Sequence, residues 1–457
     1  MTPPTAAAPE YRPTGTTVRR VRRPGMRGGA AYVDVPVAAV AGAARSMARR
    51  SVVYWSGAWA WAVALYILLV GRATELVPFA SRIRPVALAC LIALSVHGMR
   101  TPAATWRVAI RHPQFVRLGL YLALAVITLP FAIWKGGSAP LILVIGYGMV
   151  LTLAFLLTPA DRQTFDRMTG LILVGAAICI GAIVAAGAVV EGSRLSSAGS
   201  YDANDLAAFA DVLFILALGR ATRGNLLHRL LFVGLAVLFV AVTLKTASRG
   251  GAIALAVGTV VFLLGLGGRR FFIALLVASL AVPVAWQAAP ATFRERISTI
   301  GALNEDYNTT STSGRSYIWR RGLVFFAQRP LIGVGPGNFE TRLGQDFGSQ
   351  GVTGAWHTAH NTVIQVFVEL GVFGGVLLLT MIGSVLRETG RFWRPTWDGR
   401  RTALAKVGMH RPELFAAMAA YATAALFLSH AYSYLTFGII ALGAYAGRVR
   451  RDALGLV

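Results

Sequence analysis

Residues 226–267 read LLHRLLFVGLAVLFVAVTLKTASRGGAIALAVGTVVFLLGLG, which is two long apolar runs separated by the polar segment 245–249. Each run has roughly the 20 residues that an α-helix needs to cross a bilayer core of about 30 Å. Neither run alternates apolar and polar residues as the strands of a membrane β-barrel do. This stretch therefore predicts two membrane-spanning helices joined by a short turn, in which Ser248 caps the second helix.

The same pattern recurs along most of the 457 residues. A window of bilayer length predicts twelve spans, near residues 53–71, 85–99, 116–134, 140–158, 169–190, 205–219, 226–244, 250–267, 271–288, 362–385, 412–429 and 431–447. The predicted fold class is therefore all-α, a polytopic membrane protein with about twelve transmembrane helices and one large loop before span ten.

The composition excludes several other classes of protein. Apolar residues make up 56% of the chain and charged residues only 14%, and the mean hydropathy is +0.61. Nucleic-acid-binding proteins can carry the formal charge of +25, but rarely with so apolar a composition. The apolar content excludes a wholly disordered chain. The two cysteines, Cys90 and Cys179, both lie in apolar runs, which excludes a disulfide-rich secreted domain.

The basic residues predict the orientation of the chain. When the loops are assigned alternately to two compartments, 30 of the 44 Lys and Arg residues fall on the side of the N-terminus and 14 on the other side. Cytoplasmic loops are enriched in Lys and Arg, so both termini are predicted to be cytoplasmic. The predicted parts are a basic disordered cytoplasmic tail (1–52), spans one to nine (53–288), a large periplasmic loop with surface helices (289–361), and spans ten to twelve with a short cytoplasmic tail (362–457).

Three arginines stand out on the predicted outer side. Arg194 lies in the loop EGSRLSSAGSYDAN, Arg249 ends the turn KTASR, and Arg315 lies in the segment SGRSYIW of the long loop. A guanidinium binds phosphate oxygens bidentately and stays charged when it is partly dehydrated. Each arginine alone also fits a solvated side chain or a lipid headgroup contact. Three of them beside Gly- or Ser-rich turns favour a phosphate or diphosphate site.

A polar stripe begins span ten. His357 and His360 precede the span, and Asn361, Gln365 and Glu369 follow at intervals of four residues, which places them on one helix face. A carboxyl group about two turns inside a membrane helix indicates either a functional site or a structural ion pair with an arginine. An imidazole titrates near neutral pH, so the stripe favours a proton-handling role for His360 over that of an interfacial histidine.

The Gly-rich turn GVGPGNF (333–339) lacks the GK[ST] ending of a nucleotide P-loop and lies on the face away from cytoplasmic ATP. We therefore exclude nucleotide binding and expect the glycines to form a tight turn between two loop helices. The first of these helices, 314–328, is predicted to lie on the membrane surface or to cover a cavity. Its apolar residues at helical spacing are Ile318, Trp319, Leu323 and Phe326. Loop acids such as Asp202 and Asp205 have no ligand spacing with a histidine, so no metal site is predicted.

Four ordered segments give the chain a resemblance to a known family. They are RLSSAGSYDANDLA (194–207), TASRGGAIAL (246–255), GRSYIWRRGLVFFAQRPLIGVGPGNF (314–339) and HTAHNTVIQVFVELGVFGG (357–375). Together with about twelve spans and one large loop, they make the chain resemble the O-antigen ligase and polymerase superfamily of bacterial membrane glycosyltransferases. The tail 1–52 is not part of this pattern.

The resemblance implies a GT-C-like fold and a metal-independent, inverting glycan transfer without a cofactor, at the periplasmic face of the inner membrane. The implied donor is a glycan on undecaprenyl diphosphate, and the acceptor is a sugar hydroxyl of lipid A–core or of another glycan chain. Membrane lipids surround the protein, and nucleic acid is not a partner.

The resemblance also assigns roles to residues. Arg249 and Arg315 would grip the diphosphate with help from Arg194, and His360 would be the base or the group that orients the acceptor. The polar residues around His360 are further candidates for substrate binding or for holding His360. They are His357, Asn361 and Glu369.

The sequence is compatible with several alternative functions. An O-antigen polymerase and an exopolysaccharide or capsule polymerase share the donor with a ligase and differ in an acceptor that the sequence does not describe; we favour the ligase. A twelve-span secondary transporter would explain the spans and Glu369, but it predicts paired halves with broken helices at corresponding positions. The single large loop after nine spans fits two halves poorly. A purely structural scaffold gives no reason for the ordered arginine and histidine motifs.

Overall fold

The computed structural model describes residues 18–22, 32–36, 58–72, 85–185, 190–191, 194–196, 202–301, 314–351, 357–393 and 403–456. The chain divides into two units, Met1–Gly57 and Ala58–Val457. In the first unit, strands β1 (Val18–Arg22) and β2 (Tyr32–Pro36) pair antiparallel. The rest of the tail, for which the sequence predicts disorder, lies outside the described residues.

The described part of the second unit is almost entirely helical. Its helices are α1 (Ala58–Leu69), α2 (Pro85–Arg100), α3 (Ala103–Ile110), α4 (Pro113–Thr128), α5 (Lys135–Leu157), α6 (Arg162–Ala185), α7 (Ala203–Ala221), α8 (Leu226–Thr246), α9 (Arg249–Leu266), α10 (Gly268–Ala288), α11 (Ala291–Ser298), α12 (Arg315–Gln328), α13 (Phe339–Ser349), α14 (Thr362–Trp393), α15 (Ala403–Lys406), α16 (Pro412–Ala425) and α17 (Tyr434–Ala453). Single 3₁₀ turns follow α4 (Leu129–Phe131) and α11 (Thr299–Gly301). Two short strands, β3 (Val190–Glu191) and β4 (Arg194–Leu195), pair antiparallel before α7.

Seven helices in the described ranges are long and apolar enough to cross a membrane. They are α4 with its following 3₁₀ turn, α5, α6, α8, α9, α10 and α14. The prediction of an all-α, polytopic membrane protein is therefore confirmed. The other five predicted spans coincide with α1, α2, α7, α16 and α17, which are shorter or carry more charged residues. Twelve spans therefore stay a proposal.

The centre of the second unit is formed by α7, α9, α14, α16 and α17, which pack on one another and on α4, α5 and α8. Small residues let these helices approach closely. A Cβ atom on Gly258 of α9 would lie 2.8 Å from the Cβ of Ala420 in α16, and one on Gly443 of α17 would lie 2.5 Å from Val385 in α14. By contrast, α10 has no buried residue, so its apolar surface is the kind that lipid covers.

Ion pairs join several basic loops at one end of the helices. Asp166 binds Arg220 at 2.9 Å and Arg411 at 2.8 Å, and Arg223 binds Glu413 at 2.6 Å. The side chain of Arg411 is fully buried. The charge count predicts the N-terminal compartment for the three loops that contain or border these residues, namely 159–168, 220–229 and 386–411. The side of the membrane that this end faces is not shown by the fold and stays a prediction.

Candidate functional site

The opposite end of the helices contains a cavity of about 420 Å³. The walls come from the start of α7, the start of α14 with the loop before it, the turn before α13, and the loop between α16 and α17. Six of its lining residues are charged or carry amide or imidazole groups, namely Arg72, Asp205, Glu340, Gln365, Glu369 and His430. Within the described ranges, no group of three or more His, Cys, Asp or Glu side chains is arranged to hold a metal ion.

A carboxyl–imidazole pair lies on the wall of this cavity. Nε2 of His430 is 2.8 Å from Oδ1 of Asp205. Asp205 is placed by the N-terminus of α7, where the side chain of Asp202 caps the helix by accepting the main-chain N–H groups of Asn204 and Asp205, each at 2.7 Å. Sequence reasoning missed this pair because its members are 225 residues apart. The only signal was that both residues fall on the predicted outer side.

His360 lies next to this cavity in a left-handed backbone conformation, with φ of +47°. Its main-chain N–H donates to Oγ of Ser429 at 2.9 Å, and Ser429 lines the cavity. Burial, reinforced by the positive charge of Arg315, lowers the pKa of the His360 imidazole to about 4, although the carboxylate of Asp205 opposes the shift. The imidazole is therefore neutral at neutral pH. The structure thus places His360 within the electrostatic influence of Arg315.

Arg315 begins α12 and lines a second, much smaller cavity with Asn204, Ser248 and Gly250. Ser248 caps α9 as the sequence predicts, since its Oγ accepts the N–H of Gly251 at 3.1 Å. The same Oγ donates to Oδ1 of Asn204 at 2.8 Å, which ties the start of α9 to the start of α7. Because Asn204 precedes Asp205, the two cavities adjoin along the first turn of α7.

The other two predicted arginines make different contacts. Arg194 donates from Nε to the carbonyl oxygen of Thr246 and from Nη2 to Oδ1 of Asn204, both at 3.0 Å. It therefore links the loop before α7 to the turn before α9. Arg249 donates from Nη1 to Oγ1 of Thr299 at 3.2 Å. Neither arginine is among the residues that line the two cavities.

Glu369 is buried, with 1% of its surface exposed, and it holds the Gly-rich turn. Its Oε2 accepts the main-chain N–H of Gly337 at 2.9 Å, and its Oε1 accepts that of Phe339 at 3.0 Å. Phe339 is the first residue of α13, so the carboxyl group also satisfies one of the free N–H groups of that helix. Glu369 therefore fixes the turn against α14 at the cavity wall.

Helix α14 is broken where it meets this turn. Gly371 has φ of +66° and ψ of −167°, outside the helical range. The main-chain N–H groups of Val334 and Gly335 donate to the carbonyl oxygens of Val368 and Glu369 at 3.0 and 2.9 Å. Non-helical backbone at membrane depth is tolerated only when protein satisfies its polar groups, and here the turn does so.

The glycines of the turn have the conformations that a tight turn between two helices requires. Gly333, Gly335 and Gly337 have φ values of +66°, +96° and +70°, which other residues rarely adopt. A Cβ atom on Gly333 would also lie 2.4 Å from the backbone of Glu369. The close packing of turn and helix therefore depends on the absence of a side chain at this position.

The polar residues at the start of span ten have two different structural roles, helix capping and lining the cavity. Asn361 caps α14, since its Oδ1 accepts the main-chain N–H groups of Val363 and Ile364 at 3.0 and 3.1 Å. Gln365 lines the cavity, and its Oε1 accepts the N–H of Ala431 at 3.1 Å. Asn361 therefore positions the helix, whereas Gln365 and Glu369 reach the cavity.

His357 lies beside α13, where its ring meets the edge of Phe347 with centroids 6.4 Å apart. Its charge also affects the pKa of Glu340 at the cavity wall. Burial raises the pKa of the Glu340 carboxyl group, and the charge of His357 partly opposes this rise. His357 therefore stands near the cavity without lining it.

The loop helix α12 packs on α13 and α14 beside this region. Ile318 and Phe325 are buried, whereas Leu323, one of the apolar residues of the predicted face, is 61% exposed. The indole Nε1 of Trp319 donates to the carbonyl oxygen of Ala359 at 3.0 Å. This bond fixes the segment that carries His360 against α12.

Comparison with models of protein families gives a match to part of the chain. A family model described as O-Antigen ligase matches residues 232–379. The matched stretch runs from α8 into α14 and contains Arg249, Arg315 and His360, whereas Asp205 and His430 lie outside it. No curated protein matches the chain significantly.

Proposed function

We propose that this chain, which a family model described as O-Antigen ligase matches over residues 232–379, belongs to the O-antigen ligase and polymerase superfamily and transfers a glycan from undecaprenyl diphosphate to a sugar hydroxyl of lipid A–core. The transfer would take place at the periplasmic face of the inner membrane, with both termini in the cytoplasm. The observation that carries the proposal is that Arg315 lines the small cavity while His360 adjoins the large one, with the charge of Arg315 acting on the His360 imidazole. A candidate group for anion binding and a candidate group for proton handling thus occur at the same end of the helices.

The donor diphosphate would be held by Arg315 and Arg249, with Arg194 assisting through the turn that it fixes before α9. Negative charge develops on the diphosphate oxygen as the bond to the sugar breaks. Preorganised donors in a poorly hydrated site stabilise such charge, and the loss of one typically costs about 10²–10³ in rate. In the metal-independent mechanism that we propose, the arginines supply this stabilisation.

The acceptor side would be formed by His360 and its surroundings. A neutral imidazole accepts a hydrogen bond or a proton from a sugar hydroxyl, so His360 serves either as the base or as the group that orients the acceptor. Asn361 and Glu369 support it by fixing the start of α14 and the Gly-rich turn. His357 would contribute to substrate binding. Attack on the sugar carbon from the face opposite the diphosphate gives the inverting outcome.

The test is complementation of a knockout strain, with lipopolysaccharide read on gels. Arg315→Ala and His360→Ala are expected to abolish glycan transfer while the protein remains in the membrane. Arg320→Ala is the matched control, because Arg320 is exposed on the same helix and lines neither cavity. Near-normal glycan products from both variants would refute the assignment.

The same experiment separates the members of the superfamily. Unligated polymer that accumulates on its carrier in the knockout indicates a ligase. Core capped by a single repeat unit indicates a polymerase, and unchanged lipopolysaccharide indicates an exopolysaccharide or capsule polymerase.

A further inference from the structure

Asp205 offers one free carboxyl oxygen to the cavity. Its Oδ1 is occupied by Nε2 of His430, whereas no residue that the structure describes is hydrogen-bonded to its Oδ2. The Asp205 side chain keeps 29% of its exposure and lines the cavity, while that of His430 keeps only 4%. The carboxyl group is therefore presented to the cavity, with the imidazole behind it.

His430 is held rigidly in this arrangement. Its main-chain N–H donates to Oγ1 of Thr362 at 3.0 Å, and its carbonyl oxygen accepts from Oγ1 of Thr436 at 2.5 Å. Its ring lies nearly parallel to that of Tyr421, with an angle of 15° between the planes. Contacts from α14, α16 and α17 thus fix both the position and the plane of the imidazole.

The environment of the imidazole also defines its tautomer. Nδ1 of His430 is buried and has no hydrogen-bond partner among the described residues. A proton on Nδ1 would be a buried donor without an acceptor, which is unfavourable. The proton therefore lies on Nε2 and is donated to Oδ1 of Asp205, which leaves Oδ2 available to accept a hydrogen bond or a proton.

We infer that Asp205 is the base that takes the proton of the acceptor hydroxyl, that His430 is the residue that positions it, and that His360 orients the acceptor. This inference rests on the proposed function. Asp205 lines the large cavity, and His360 is not among the residues that do so. The charge of Arg315 also disfavours a second positive charge on His360, whereas protonation of Asp205 creates none.

In the transfer step, the acceptor oxygen forms a bond to the anomeric carbon of the donor sugar while the bond from that carbon to the diphosphate oxygen breaks. The electron pair of the broken bond leaves with the diphosphate, and the hydroxyl proton moves to Oδ2 of Asp205. The same division of labour, with a carboxylate base acting opposite the leaving group, is used by inverting glycosidases on water.

The test uses the purified full chain in proteoliposomes, with an undecaprenyl-diphosphate-linked glycan as donor and lipid A–core as acceptor. Asp205→Asn is expected to lower kcat by about 10²–10⁴-fold, the usual contribution of a positioned base, and to leave KM for the donor unchanged. Glu295→Gln is the matched control, because Glu295 is exposed on α11 and lines neither cavity, and the substitution likewise replaces a carboxyl group by an amide. This control is expected to transfer at the wild-type rate.

Two further variants of His430 test the positioning role. His430→Gln keeps an N–H donor and is expected to lower kcat less than tenfold, whereas His430→Phe removes the donor and is expected to lower it about 100-fold. In both variants KM for the donor should stay unchanged, which a general structural defect would not produce. Asp205→Glu keeps the carboxyl group but displaces it, and partial activity is expected.

The outcomes separate the two proposals. Absence of transfer by the wild-type protein refutes the proposed function. Transfer by the wild type together with Asp205→Asn activity within threefold of Glu295→Gln overturns the role of Asp205 alone. Equal kcat values for His430→Gln and His430→Phe overturn the positioning role of His430.

Discussion

Replacing Glu369 by glutamine tests how firmly α14 holds the Gly-rich turn. The carboxyl group accepts two main-chain N–H groups, those of Gly337 and Phe339. The amide of glutamine can accept only one of them through its oxygen, and its NH₂ group must then face the other donor. One hydrogen bond is lost and one buried donor is left unpaired, which together cost about 2–4 kcal/mol.

This free energy predicts a measurable local opening. Because about 1.4 kcal/mol corresponds to a factor of ten in an equilibrium constant, the turn should open about 30- to 1,000-fold more often. Hydrogen–deuterium exchange of detergent-solubilised protein, followed by mass spectrometry of peptides that cover 333–339, measures this directly. Peptides from α17 should keep their wild-type protection, because the contacts of that helix are unchanged.

Glu340→Gln is the matched control for this experiment. Glu340 also lies at the cavity wall, but its carboxyl group holds no main-chain donor of the turn. Exchange in 333–339 should therefore stay at the wild-type rate in this variant. Equal hydrogen–deuterium exchange of residues 333–339 in Glu369→Gln and Glu340→Gln would contradict this prediction, because it would show that the two hydrogen bonds do not stabilise the turn.

Three further outcomes follow from the fold. Gly371→Ala should abolish the monodisperse folded protein in size-exclusion chromatography, because its Cβ would lie 2.3 Å from a backbone oxygen at a positive φ, whereas Gly383→Ala in open space on the same helix should behave as wild type. Asp166→Asn should lower the melting temperature strongly, since it leaves the fully buried Arg411 without its carboxylate at a cost of about 3 kcal/mol, and an unchanged melting temperature would contradict the pairing. The pKa of His360 falls from an ordinary 6.5 to about 4, so the unfolded chain binds more protons between these values and stability rises with pH in that window. His360→Asn, which suits the left-handed backbone, should flatten the dependence of the melting temperature on pH between 4.5 and 6.5, and an unaltered slope would argue against the buried neutral imidazole.

The helices could be predicted from the sequence because hydropathy is a local property of about 20 residues. Every predicted span coincides with a helix of the structure, and Ser248 caps α9 as its position indicated. The glycines of 333–339 could be placed in a turn for the same reason, since the segment lies between two apolar helical patterns. These inferences needed no information about distant residues.

The partners of individual side chains could not be predicted in this way. The bond between Asp205 and His430 joins residues that are 225 positions apart, and no local sequence pattern predicts it. The position of Glu369 in the polar stripe indicates either a functional acid or an ion pair with an arginine. The two N–H groups that Glu369 binds belong instead to a turn 30 and 32 residues earlier. Gly371 is one of three glycines in LGVFGG, and its sequence context does not tell which of them breaks the helix.

The break at Gly371 has a consequence for protein engineering. Under the proposed function, exchange of the loop 289–361 between related chains is a direct way to test what selects the acceptor, and the ends of α12 and α14 look like natural boundaries. Main-chain hydrogen bonds, however, join Val334 and Gly335 to α14 beyond the loop. A chimera cut at residue 361 would therefore pair a foreign turn with a native helix. A graft that continues to residue 375 would carry both the turn and the helix segment to which it is hydrogen-bonded, and would keep these bonds.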